Sequence, residues 1–183
     1  VLLAPSWGSD NLLDRCGVAL ASALAGNGFD VVVRPHPLFF LDKAPVIDDL
    51  TILQERVQNI RLESPFDGDD AIFDADVLVG DYSGIGFEFA ALRRRPVVSV
   101  DVGLKVANPA WQSLGLQPVE IACRSRLGPV VPPDVAAIVE AVRLSAVPGT
   151  RVTDDAVSDF LHGRPGECAN RAAAELQKLL SRH

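Results

Sequence analysis

The sequence predicts a doubly wound α/β fold built on a mostly parallel sheet. Three observations carry this. Short runs rich in Val, Leu and Ile are continuous rather than alternating, as strands covered on both faces are. The runs alternate with stretches whose apolar residues recur at helical spacing. The successive runs also end in polar or small residues, so that chemistry gathers at one edge of the sheet.

Val1-Leu2-Leu3-Ala4 reads as the first strand. Ser9 or Asp10 caps a helix carrying Leu12, Cys16, Ala19, Leu20, Ala23 and Leu24, and Gly26-Asn27-Gly28 ends it. Val31 to Val33 is the second strand. A helix around Asp48 to Gln58 leads to a third strand, Asn59 to Leu62. A short acidic helix, Asp67 to Asp74, precedes the fourth strand at Val77 to Gly80. The next helix spans about Ser83 to Leu92, with Ile85, Phe89 and Leu92 on one face; Pro96 stops it before a fifth strand at Val97 to Val100. Val119 to Ala122 reads as a sixth strand. Pro133 suits the first turn of a helix bearing Val135, Ile138, Val139 and Val142, and a last helix runs from about Glu167 to Leu180. Neither irregular stretch, Leu104 to Gln117 or Ala146 to Asp155, reads as a linker, so residues 1–183 are taken as one domain.

Composition narrows the function. Lys plus Arg is 17 and Asp plus Glu is 24, a net charge of −7, which argues against a protein that tracks a nucleic-acid backbone. The hydrophobic fraction of 48% is ordinary for a globular domain. No apolar run approaches the ~20 residues of a membrane span, and no secretory leader pattern opens the chain. The absence of Met points to a processed or cut chain. Cys16, Cys123 and Cys168 are too few and too scattered for a disulfide framework or a metal knuckle, which suits a reduced cytoplasmic compartment.

The residues after each strand are the candidates for function. With the usual 3-2-1-4-5 order, the loops Ser6–Gly8 and Asp81–Gly84 face each other across the switch point. Ser83 and the amides of Gly84, Ile85 and Gly86 offer a hydroxyl and free N–H groups to a phosphate, or form an ordinary helix cap with tightly packed glycines. The segment is neither a Walker A loop nor a dinucleotide fingerprint. His36 stands between two prolines, rigidly placed for proton transfer or for binding a charged oxygen. Arg34 offers a fork to phosphate or pairs with a carboxylate. Glu88 is placed either for ribose hydroxyls or for solvent. Trp7 stacks on a base or covers the first helix. Arg93-Arg94-Arg95 complements the negative end of its helix dipole.

Three segments together resemble the C-terminal half of the CDP-glycerol glycerophosphotransferase family, the teichoic-acid primases and polymerases. They are Arg34-Pro35-His36-Pro37, the run from Asp76-Val77-Leu78-Val79-Gly80-Asp81-Tyr82-Ser83-Gly84-Ile85-Gly86-Phe87-Glu88-Phe89-Ala90 on to Arg95-Pro96-Val97-Val98, and Ala4-Pro5-Ser6-Trp7. The tail Gly166 to Arg171 is faintly similar to that family's final helix. The resemblance implies one Rossmann-like half of a GT-B architecture, holding a nucleotide-activated donor such as CDP-glycerol. It implies a catalytic role for His36. Donor phosphate contacts would fall at Arg34, Asp81, Ser83, Gly84 and Ser6, and ribose or base contacts at Glu88 and Trp7. The family often has a second Ser where this chain has Gly84. The N-terminal half, with another essential histidine and the acceptor surface, would lie outside this chain.

The implied partners are the donor, that N-terminal domain and a polymer or lipid-linked acceptor at the inner face of the membrane, with no nucleic acid, no cofactor and no tightly bound metal. The acidic chain offers no basic amphipathic helix for membrane docking. Two other readings stay open: a GT-B glycosyltransferase using a CMP- or UDP-linked sugar for capsule or envelope polysaccharide, and a non-catalytic nucleotide-binding or interaction module.

Overall fold

The computed structural model describes residues 1–64, 68, 70–106, 108, 110–115, 117–158, 160–161 and 166–181. Six parallel strands form one sheet: β1 (Leu2–Leu3), β2 (Val31–Val33), β3 (Ile60–Leu62), β4 (Leu78–Gly80), β5 (Val97–Val100) and β6 (Val130–Val131). Their order is β3-β2-β1-β4-β5-β6, so the chain reverses direction between β1 and β4 as a doubly wound sheet does. In register, Leu3 lies between Val33 and Val79, and Val79 pairs with Val98.

Two apolar layers cover the sheet. On one face, α1 (Val18–Gly26), α3 (Pro45–Arg56) and α8 (Val135–Ser145) bury Leu20, Leu24, Leu50, Ile138 and Val142 against Leu3, Val33, Val79 and Val98. On the other, α4 (Asp70–Asp74), α5 (Ile85–Arg93) and α9 (Asp154–Ser158) bury Ile72, Phe89, Ala90 and Val157 against Leu2, Leu78 and Val97. Each such Val, Leu, Ile or Phe side chain contributes about 1.5–3 kcal/mol by leaving water.

The elements depart from the sequence expectation where polar groups outbid periodicity. A π-helical turn, Leu13–Gly17, opens the first helix; the Leu13 side chain folds over Gly17, where a Cβ would meet Leu13 Cδ1 at 2.6 Å. Neither Ser9 nor Asp10 caps it: the Asn11 side-chain oxygen Oδ1 accepts the Asp14 N–H at 2.9 Å. A short helix α2 (Pro37–Leu41) follows His36 directly, and α3 begins at Pro45 rather than near Asp48. Asp67, the expected start of the acidic helix, lies outside the described residues.

Leu92 is exposed, so the buried face of α5 is Gly86, Phe89 and Ala90. Val119–Ala122 is not a strand but a helical turn, α6. The Pro118 carbonyl accepts the N–H groups of Ile121 and Ala122 at 2.9 and 3.0 Å, and α7 (Arg124–Leu127) continues the turn. The sixth strand is instead Val130–Val131, held to β5 by Ser99 N–H to Pro129 and Asp101 N–H to Val131. The prolines on either side of it confine it to an edge. Asp134, not Pro133, opens α8, its carboxylate accepting the Ala137 N–H at 2.8 Å. The last helix, α10 (Cys168–Leu180), is exposed along its whole length, including Leu176, Leu179 and Leu180.

No helix among the described residues is long and apolar enough to cross a membrane.

Candidate functional site

The strand order carries the loops after β1, β2, β4 and β5 to one edge of the sheet, and the polar residues singled out from the sequence gather there. The centre of the arrangement is Asp81, directly after β4. Its side chain is fully buried. One carboxylate oxygen accepts the Ser6 N–H at 2.6 Å and the other the Leu12 N–H at 2.8 Å. Asp81 thus ties the loop after β1 to the loop after β4 and closes the amino end of the first helix from across the crevice. No part of this carboxylate faces the solvent, where a donor would lie.

The amino end of α5 is different. Gly84, not Ser83, is its N-cap, and no side chain caps it. The first N–H groups of a helix have no intrahelical acceptor, so this end presents donors and the positive end of the dipole. Ser83 is half-buried just before it, with its own N–H bonded to the Asp81 carbonyl at 3.0 Å. The two glycines do different things. A Cβ on Gly84 would meet no atom within 4 Å, whereas one on Gly86 would lie 3.2 Å from Val97 Cγ1. Gly84 leaves the approach to the helix open; Gly86 lets α5 lie close on β5. Glu88 is exposed one turn further on.

His36 is exposed at the start of α2, and its Nδ1 accepts the Leu38 N–H at 3.3 Å. With Nδ1 the acceptor, the neutral ring carries its hydrogen on Nε2. The Trp7 ring, 48% exposed, lies beside it with centroids 6.4 Å apart and planes tilted by 31°. The loop after β1 and the loop after β2 therefore meet at this ring pair.

Arg34 leans away toward β3. Its guanidinium donates to the Gly68 carbonyl at 2.8 Å and lies 3.8 Å from Glu63, a wholly buried carboxylate that also has Arg61 at 3.7 Å. Pairing with a carboxylate was one of the two roles the sequence left open for it.

Two cations escaped the sequence reading. Lys105 reaches back from the loop after β5 to donate to Ser6 Oγ at 2.7 Å; its ammonium is 3.9 Å from Asp81. Its signal is positional: a cation four residues after Asp101, in a loop at the same sheet edge and without periodicity. Arg124, on α7, donates to Asp101 at 3.2 Å and lines a narrow hollow with Ser83, Gly86 and Glu120. Burial raises the Tyr82 phenol above its usual range, Glu120 raises it further, and Arg124 partly offsets both. A roomier, mostly apolar hollow lined by Pro96, Leu127, Pro129 and Ala141 lies toward the amino ends of β5 and β6 and includes none of Ser6, His36, Asp81, Ser83 and Lys105.

The edge as a whole offers an uncapped helix end, an aimed imidazole and two paired cations, which suits an anionic ligand with hydroxyl or ring groups. Among the described residues no group of three or more His, Cys, Asp or Glu is arranged to hold a metal ion. The family model described as CDP-Glycerol:Poly(glycerophosphate) glycerophosphotransferase matches residues 2–105, more than half of the chain. The match takes in every candidate site residue named from the sequence, leaves out the tail Gly166 to Arg171, and ends on Lys105. No curated protein matches the chain.

Proposed function

The chain belongs to the CDP-glycerol:poly(glycerophosphate) glycerophosphotransferase family, and we propose that it is the donor-binding domain of a transferase that moves glycerol phosphate, or a related polyol phosphate, from a CDP-linked donor to an acceptor hydroxyl in cell-wall polymer synthesis. The observation that carries this reading is the contrast between the two helices at the switch point. Asp81 closes the first, and the amino end of α5 stays open.

On this reading the donor diphosphate rests on the N–H groups around Gly84 and on the Ser83 hydroxyl. The acceptor oxygen forms a bond to the donor's β-phosphorus. The bond from that phosphorus to the bridging oxygen breaks, and the bridging oxygen leaves with CMP. Such a displacement needs in-line positioning and stabilisation of spreading negative charge more than covalent help.

His36 suits the second task. Its Nε2–H donates to a phosphate oxygen, so it stabilises charge and leaves the acceptor proton to a base from the rest of the enzyme. Asp81 acts by positioning: it holds the β1 loop while its own charge stays buried. Arg34, paired with Glu63, adds positive field beside the donor. Glu88 and Trp7 remain the candidates for ribose and base. The domain would form one half of a GT-B cleft, with the acceptor and the inner membrane face on the side of the other half.

A crystal structure with CDP-glycerol tests the reading. The diphosphate is expected against Ser83 and Gly84 with His36 Nε2 turned toward it. A donor bound elsewhere, for instance in the apolar hollow at the opposite edge, overturns it.

A further inference from the structure

Lys105 has donor capacity that the fold does not use. A lysine ammonium carries three N–H groups and accepts nothing. One donates to Ser6 Oγ at 2.7 Å, and a second makes only a long contact of 3.4 Å to the Trp7 carbonyl. Asp81, the obvious counter-ion, stands 3.9 Å away, beyond hydrogen-bond reach, and already holds two backbone N–H groups. The ammonium is therefore charge-compensated without being saturated.

Ser6 is in the same condition. It is 93% buried, given its 7% exposure, and its hydroxyl accepts from Lys105, which leaves its own hydrogen to donate. No acceptor for that hydrogen is found among the described residues. A buried hydroxyl beside a partly exposed ammonium, each with a hydrogen in hand, matches an anionic oxygen arriving from solvent better than an apolar group. Their place is the switch point itself: Ser6 follows β1, Asp81 follows β4, and Lys105 closes over both from the loop after β5.

We propose that Lys105 and the Ser6 hydroxyl form an anion clasp that takes a phosphate oxygen of a nucleoside diphosphate, opposite the N–H groups at the start of α5. This rests on the donor reading above and adds to it a cation that holds the diphosphate by direct contact. Asp81 keeps Lys105 in place without competing for its free hydrogen. A single partly exposed cation there also predicts that affinity tracks the phosphate charge of the ligand and not its base.

The test uses CDP and cytidine as probes. By calorimetric titration, Lys105→Met is expected to weaken CDP binding roughly tenfold or more while leaving cytidine binding unchanged. Lys105→Arg, which keeps the charge, is expected to recover part of the loss. Since Lys105→Met also removes the counter-charge of Asp81, a second measurement uses the unaltered protein. The sequence has three lysines, Lys43, Lys105 and Lys178. CDP is expected to slow acylation of Lys105 by an amine-reactive reagent and to leave Lys43 and Lys178 unaffected. If CDP binds but neither Lys105→Met nor the acylation of Lys105 responds, the clasp is overturned and the donor reading stands. If CDP does not bind the unaltered protein at all, both fall.

Discussion

The Asp81 carboxylate accepts the backbone N–H of Ser6 at 2.6 Å, across 75 residues of sequence and across the crevice between β1 and β4. This bond and its companion from Leu12 tie the loop after β4 to the loop after β1 and to the start of the first helix. They also decide which helix amino end is left for a ligand.

Asp81→Asn should therefore be costly. An amide has one acceptor oxygen for two N–H donors, and it leaves Lys105 beside no charge. The loss is expected to be about 3 kcal/mol, the range for breaking a buried, charge-assisted arrangement. A urea denaturation midpoint reads it directly. An unchanged midpoint would mean that the carboxylate is not what joins the two loops.

The two glycines of α5 should separate packing from binding. Gly86→Ala presses a methyl against Val97, which is buried and stiff, and is expected to cost about 1 kcal/mol of stability. Gly84→Ala meets nothing, so stability should stay within about 0.5 kcal/mol. Its affinity for CDP should nevertheless fall, because the methyl stands where the ligand approaches the backbone. The reverse pattern would exclude the amino end of α5 as the phosphate site.

Tyr82 is the sole tyrosine, so its ionisation can be followed by ultraviolet titration without ambiguity. Burial and Glu120 hold the phenol proton, and the midpoint is expected above the usual value of 10.0. Glu120→Gln should lower it and Arg124→Met should raise it. Because the unfolded chain releases this proton first, stability should decline as pH rises from the ordinary tyrosine range through the raised one. An ordinary midpoint insensitive to both substitutions would detach α6 and α7 from the site.

His36→Ala removes one long cap bond to Leu38, so the fold should survive with a loss of no more than about 1 kcal/mol. Release of CMP from CDP-glycerol by the whole enzyme should nonetheless be abolished. Retained turnover would take His36 out of the reaction.

Much of this was legible in the sequence because buried parallel strands write themselves as unbroken Val and Leu runs. Val31 to Val33 and Val97 to Val100 were placed to the residue, and the strand order followed from the doubly wound rule. The edge residues followed from the strands. What was not legible depended on partners distant in sequence. Nothing local to Asp81 says that its carboxylate turns inward to amides 75 and 69 residues away. Lys105 sits in a loop without periodicity, and only the closed fold brings it to Ser6. Val119–Ala122 misled because four apolar-rich residues are too few to tell strand from turn, and the preceding proline decided for a turn.

The central claim is that the loops after β1 and β4 hold a CDP-linked donor against Ser83 and the amino end of α5. Calorimetric titration with CDP-glycerol, CMP-sugars and UDP-sugars, on the unaltered protein and on Ser83→Ala, tests it most directly. The account predicts that CDP-glycerol binds in preference to the sugar donors. It also predicts that Ser83→Ala weakens that binding by about 5- to 30-fold, the equivalent of about 1–2 kcal/mol for one charge-assisted hydroxyl contact. Preferential binding of a UDP-sugar, or an unchanged dissociation constant in Ser83→Ala, would contradict it.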